Sequence, residues 1–186
     1  MLFPAVQSKN LRLAAALSVA ATLGFVCAAQ AETVRIVAIG ASNTSGYKVG
    51  ASNAWPALLE QMLKAKGLDV SVVNAGVTAE TSSQTVNRVG SVVTPGTKIV
   101  IYDLGGGNDA DSGEGNKTAA NTSLIASKIR ALGAIPINAS KGKVVGSEKG
   151  NPSAWIQGDP HHHITAASQR KLAASLVPKV MAAMKK

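Results

Sequence analysis

At 186 residues, 46% hydrophobic and 16% charged, the chain has the size of one folded domain and none of the composition of a disordered segment. Its 19 basic residues outnumber its 10 acidic ones, but the lysines are scattered and aromatics make up only 3%, which argues against the stacking platforms of a nucleic-acid binder. A single cysteine, Cys27, excludes a disulfide framework.

The N-terminal stretch "MLFPAVQSKNLRLAAALSVAATLGFVCAAQAET" has a basic start at Lys9 and Arg12, an apolar run from Leu13 to Ala29, and "AQA" ending at Ala31. That three-part layout predicts an export signal over 1–31, cleaved after Ala31, with a mature domain over 32–186. The alternative is an uncleaved membrane anchor, against which the small-residue exit argues. Cleavage would remove Cys27 and leave 17 of the 19 basic residues against 10 acidic ones, a net charge of +7. Such a surface suits loose attraction to anionic surfaces, with no stable membrane insertion once the leader is gone.

Beyond Glu32, short β-branched runs alternate with helical periodicity. "TVRIVAIG" (33–40) reads as a strand covered on both faces. A helix is predicted over 52–67, capped by Ser52 or Asn53, with Pro56 in its first turn and Gly67 at its end. Strands at 69–76, 98–106 and 134–140 alternate with helices at 79–93 and 117–133. A Gly, Lys and Ser stretch (141–151) and a short strand candidate, "SAWIQ", precede a final helix over 165–184, interrupted or kinked at Pro178. Strand–helix alternation without hairpin signals predicts a parallel sheet with helices on both faces. Ligands of such sheets gather at the carboxyl ends of the strands.

Those ends carry the chemistry-bearing residues. "GASNTSG" follows the first strand and places Ser42 at a strand-to-helix turn, where a hydroxyl can stand clear beside free amide groups. "NAG" ends the second strand at Gly76, and "LGGGNDA" after the third presents Asn108, whose amide can donate to an oxyanion. No Gly-Lys-Ser/Thr follows those glycines, which removes a phosphate-loop reading. "GDPHHHITAA" (158–167) then supplies Asp159 and all three histidines, completing a Ser, Asp, His order fit for nucleophilic catalysis. Three adjacent imidazoles also invite a metal reading, but neighbours on one loop do not converge as ligands must, so no metal is expected.

Together "GASN" at Ser42, "NAG" at Gly76, "GGND" at Asn108 and "DPHH" at Asp159–His162 resemble, in order, the four blocks of the SGNH (GDSL-type) hydrolase family. "GASNAWPALL" is similar to the matching segment of its bacterial thioesterase I, lysophospholipase L1 and arylesterase branch. The resemblance implies a three-layer α/β/α, flavodoxin-like fold around a central parallel sheet, with neither metal nor organic cofactor. It implies Ser42 as nucleophile, the Ser42 and Gly76 N–H groups with the Asn108 side chain as oxyanion hole, and Asp159 orienting a catalytic histidine. Asp-x-x-His spacing selects His162 as that histidine; spacing to the helix cap at Thr165 selects His163; His161 is then a bystander. Ala41 stands where the family usually has Asp, and the region before Asp159 is short, which implies an open groove. The implied activity is that of a secreted or periplasmic carboxylesterase, arylesterase, lysophospholipase or thioesterase acting on small esters or thioesters. The alternatives are a carbohydrate acetylesterase of the same fold and a binding protein that keeps the fold without turnover.

Overall fold

The computed structural model describes residues 32–104 and 106–186, so the expected leader over 1–31 lies outside the described residues. Four strands, β1 (Val34–Gly40), β2 (Val70–Gly76), β3 (Thr97–Asp103) and β4 (Ile135–Asn138), form one sheet in the order β2-β1-β3-β4. Every pairing is parallel. The helices are α1 (Ser42–Ser45), α2 (Trp55–Lys64), α3 (Ser82–Val92), α4 (Gly106–Asp111), α5 (Thr118–Ala131), α6 (Lys141–Val145) and α7 (Ala166–Ala183). No helix among the described residues is long and apolar enough to cross a membrane.

Side chains on a strand alternate between faces, and the core divides accordingly. Ile36 and Ala38 of β1 with Ile99 and Ile101 of β3 pack against α2 and α7, through Leu59, Leu63, Leu172 and Leu176. Val37, Ile39, Val100 and Tyr102 face the other way, onto Val86 and Val89 of α3 and Ile125 and Ile129 of α5. The result is the expected three-layer α/β/α arrangement. Burial on both faces is why β1 and β3 read as near-continuous apolar runs; each such side chain contributes about 1.5–3 kcal/mol by leaving water.

Several local expectations change. Helix α2 begins at Trp55 without a side-chain cap from Ser52 or Asn53. Its Trp55 N–H instead donates to Gln169 Oε1 of α7 at 2.9 Å, so a tertiary contact takes the role of the cap. Helix α7, capped by Thr165 Oγ1, continues through Pro178 to Ala183 instead of being interrupted there. Proline forfeits one backbone bond, and burial of Leu176, Val177 and Val180 on the sheet holds the last turn. The third strand stops at Asp103 and α4 begins at Gly106. Only Trp155 of "SAWIQ" pairs, in an isolated bridge to Ile164.

Candidate active site

The carboxyl ends of β1 and β2 meet at Gly40 and Gly76, which are register partners. A Cβ on Gly40 would lie 2.6 Å from the Asp103 carbonyl oxygen and 2.4 Å from Thr44 Oγ1; one on Gly76 would lie 2.3 Å from the Ser45 nitrogen. These two glycines therefore let α1 fold directly onto the strand ends and bring Ser42 to the rim of the sheet. Ala41 offers no capping side chain, so the Ser42 N–H, first in the helix, has no intrahelical acceptor.

Asn43, next to Ser42, ties this segment to the distant histidine loop. Its Oδ1 accepts from the Ile164 N–H at 3.0 Å, and its carbonyl accepts from Gln169 Nε2 at 2.9 Å. Ile164 directly follows His163, so residues adjacent to both Ser42 and His163 are bonded to one another across the sheet end.

Within the histidine run, Asp159–His162 form a tight turn, with the His162 N–H donating to the Asp159 carbonyl at 3.2 Å. His162 takes a left-handed backbone (φ 52°) that swings its ring outward against Glu148, where it is 58% exposed. His163 folds back and is buried: its N–H donates to Asp159 Oδ2 at 2.8 Å, and its Nδ1 meets the same oxygen. The Asp-x-x-His register expected for His162 is thus not the one that joins ring to carboxylate, because the left-handed turn consumes one extra residue. His161 points to Asp111, with 3.7 Å between Nδ1 and Oδ2, and its ring lies edge-on to that of His163 with centroids 6.2 Å apart.

Asp159 has a fully buried side chain whose Oδ1 also accepts from Lys48 Nζ at 2.7 Å. Burial alone would raise its pKa, but the Lys48 ammonium, the His163 N–H and ring, and the His161 N–H outweigh it. The carboxyl is held well below the usual carboxylate range.

Two cavities flank Ser42. One, of about 250 Å³, is lined by Ser42, Tyr47, Ala79, Asn108, His161 and His163. The other, of about 350 Å³, includes Ser42, Asn108, Asp103, Lys141, Trp155 and His162. Ser42, Asn108 and His161 border both spaces, with His163 at the first and His162 at the second. No hydrogen bond joins Ser42 Oγ to His163, a contact that in many enzymes tightens only in the complex. Asn108 Nδ2 donates to the Glu80 carbonyl at 2.8 Å, which fixes the amide and leaves its second N–H for the cavity. Glu80 is itself held by Thr85 Oγ1 at 2.8 Å and by Arg88.

Gly76 is not at either cavity. It lies under α1, and its N–H already donates to Asn74 Oδ1 at 3.0 Å. The segment that borders a cavity is Thr78 and Ala79, the latter three residues on from Gly76 and in a left-handed conformation (φ 63°). Sequence reading passed over Ala79 because an alanine carries no sign of positive φ, and passed over Lys48 because nothing local marks a partner 111 residues away.

Residues 38–179 match the GDSL-like Lipase/Acylhydrolase family. The thioesterase 1/protease 1/lysophospholipase L1 of Escherichia coli (strain K12) is 32% identical over 111 residues, covering 59% of this chain and 51% of that protein. An arylesterase of Vibrio mimicus is 30% identical over 114 residues, covering 59% and 56%. The chain spans about half the length of the curated relatives it matches. The crystal structure of TesA superposes with a TM-score of 0.64 at 22% identity, covering 80% of this chain and 99% of that one, a likeness of fold. With most of its described length matched, from the first strand into the last helix, the chain belongs to the GDSL-like Lipase/Acylhydrolase family.

Proposed function

We propose that the chain is a carboxylic-ester hydrolase acting by acyl transfer, with Ser42 as nucleophile, His163 as base and then acid, and Asp159 orienting it. The supporting observation is His163, bonded to the buried Asp159 and bordering the same cavity as Ser42 and Asn108. Ser42 Oγ attacks the ester carbonyl carbon while His163 Nε2 takes its proton; the carbonyl π pair moves to oxygen. The Ser42 and Ala79 N–H groups and the free Asn108 N–H receive that oxyanion. Collapse breaks the bond to the leaving oxygen or sulfur, which takes the proton from His163. Water then repeats the sequence and releases the acid. Asp159 stays ionised throughout and stabilises the imidazolium.

Asp103 and Lys141, 3.6 Å apart, border the larger cavity and are mostly buried. A long aliphatic acyl chain placed there would desolvate both charges, so short or polar esters and thioesters fit better than long-chain lipids. We further assign residues 1–31 as an export leader that leaves a basic domain outside the cytoplasm, where anionic surfaces are its loose partners.

Rates on p-nitrophenyl acetate test the proposal. Ser42→Ala is expected to lose turnover almost entirely. Asn108→Ala, which removes one oxyanion donor worth about 3–4 kcal/mol in the transition state, should lower kcat by about 10²–10³ while the protein stays folded. A Ser42→Ala variant with the wild-type rate would refute the mechanism.

A further inference from the structure

We propose that Lys48 is a positioning residue for the Asp159–His163 pair: its ammonium holds Oδ1 of the buried carboxylate so that Oδ2 is aimed at the imidazole. The inference rests on the serine-hydrolase reading and adds to it a fourth member that lies outside the four blocks.

The carboxylate is fully buried, so its charge and lone pairs must be met by the protein. Oδ2 is occupied twice by His163, through backbone N–H and ring. Oδ1 has the Lys48 ammonium at 2.7 Å and, at a longer 3.4 Å, the His161 N–H. Without Lys48 the carboxylate would keep only the longer His161 N–H contact on Oδ1, and its buried charge would lose its ammonium partner.

Lys48 is placed for this by its backbone. It stands in a left-handed conformation (φ 65°) in the loop after α1, and its neighbour Tyr47 packs on the His163 ring with centroids 4.9 Å apart. One dipeptide thus touches both members of the pair, Tyr47 the imidazole and Lys48 the carboxylate. Lys48 Nζ is 6.0 Å from the Tyr47 ring centroid, which keeps the two side chains together.

The consequence is electrostatic as well as geometric. A lone carboxylate raises the basicity of an imidazole bonded to it; a cation on the carboxylate's far oxygen offsets part of that field. Removing Lys48 would therefore leave the Asp159 field on the His163 ring without that offset. The other titratable groups around His163 are Tyr47, His161 with its partner Asp111 on α4, and, further along the same loop, His162 with Glu148. All are retained when only Lys48 is changed.

The test is the pH profile of kcat/KM on p-nitrophenyl acetate for Lys48→Met and Lys48→Arg, with kcat and KM resolved separately. Lys48→Met is expected to move the acid limb upward by about one pH unit. It should also lower kcat about tenfold or more, by loosening the imidazole, with KM changed less than about twofold. Lys48→Arg should restore both. If Lys48→Met fails to fold, Lys48→Gln, which keeps a neutral donor near Oδ1, should show the limb shift with a smaller loss of kcat. A wild-type limb and kcat in the folded Met or Gln variant, or an Arg variant whose limb moves as far as that of Met, overturns the proposal. An active Ser42→Ala would instead sink the underlying serine-hydrolase reading, whereas an inactive Ser42→Ala beside an unchanged Lys48→Met sinks only the role of Lys48.

Discussion

His163→Ala is expected to lower kcat/KM on small esters by about 10⁴–10⁶, while His162→Ala stays within about threefold of wild type. The contrast follows from position. His163 is buried, bonded through Nδ1 to Asp159, and shares a cavity with Ser42 and Asn108. His162 borders the other cavity beside Ser42, but its ring is exposed and faces Glu148 instead of the buried Asp159 carboxylate. Removing the His163 ring leaves Asp159 paired with Lys48, so the variant should fold and its loss should be chemical. Circular dichroism and thermal melts alongside the kinetics check that. The reverse ranking, an inert His162→Ala and an active His163→Ala, would mean that catalysis uses the shorter register and that the loop rearranges on binding substrate.

Gly76→Ala should be the most damaging single-methyl change in the molecule. Its Cβ would sit 2.3 Å from the Ser45 nitrogen and 2.7 Å from the Thr44 carbonyl carbon, both backbone atoms that no rotamer change can move. Either the strand end or α1 must shift, and α1 carries Ser42. Overpacking of this kind costs about 1–3 kcal/mol, or more where backbone is the obstacle, which corresponds to a fall in Tm of about 2–12 °C in a domain of this size. A displacement of the nucleophile by about 1 Å can cost a further 10²-fold in rate. Gly90→Ala is the matched control: its Cβ meets nothing within 4 Å, it is exposed in α3, and a helical Gly→Ala change should stabilise by about 0.5–1 kcal/mol. Equal melting temperatures and rates for Gly76→Ala and wild type would show that α1 does not rest on this strand end.

The layers were legible because burial on two faces leaves a direct mark on composition: the β1 and β3 runs, and the Trp55, Leu58, Leu59, Leu63 spacing of α2, need no distant information. So was the capping of α7 by Thr165, a local bond. What escaped depends on partners far along the chain or on single dihedrals. The α2 cap comes from Gln169, 114 residues away, so Ser52 and Asn53 looked like the better candidates. Pro178 looked like a break because helix propensity is local, whereas the packing that carries α7 past it is tertiary. Short helices α1, α4 and α6 lie in segments whose glycines and polar residues read as loop. At the site, residue types were readable and geometry was not: the left-handed backbone of His162 sends its ring and that of the adjacent His163 to different surroundings, and the glycine at 76 serves a close approach to α1 while Ala79 takes the positive φ beside the cavity.

The role proposed for Ser42 is that of an activated nucleophile at the rim where Asp159, His163 and Asn108 gather. Its most direct test is intact-mass spectrometry, followed by digestion, of the exported protein after treatment with a fluorophosphonate at about pH 8, where an ordinary imidazole is neutral. The expected product is a chain beginning at Glu32 that carries one phosphonyl group, on Ser42. An exported chain that remains unmodified, or is modified at another residue, would contradict it and leave a fold that binds without turning over.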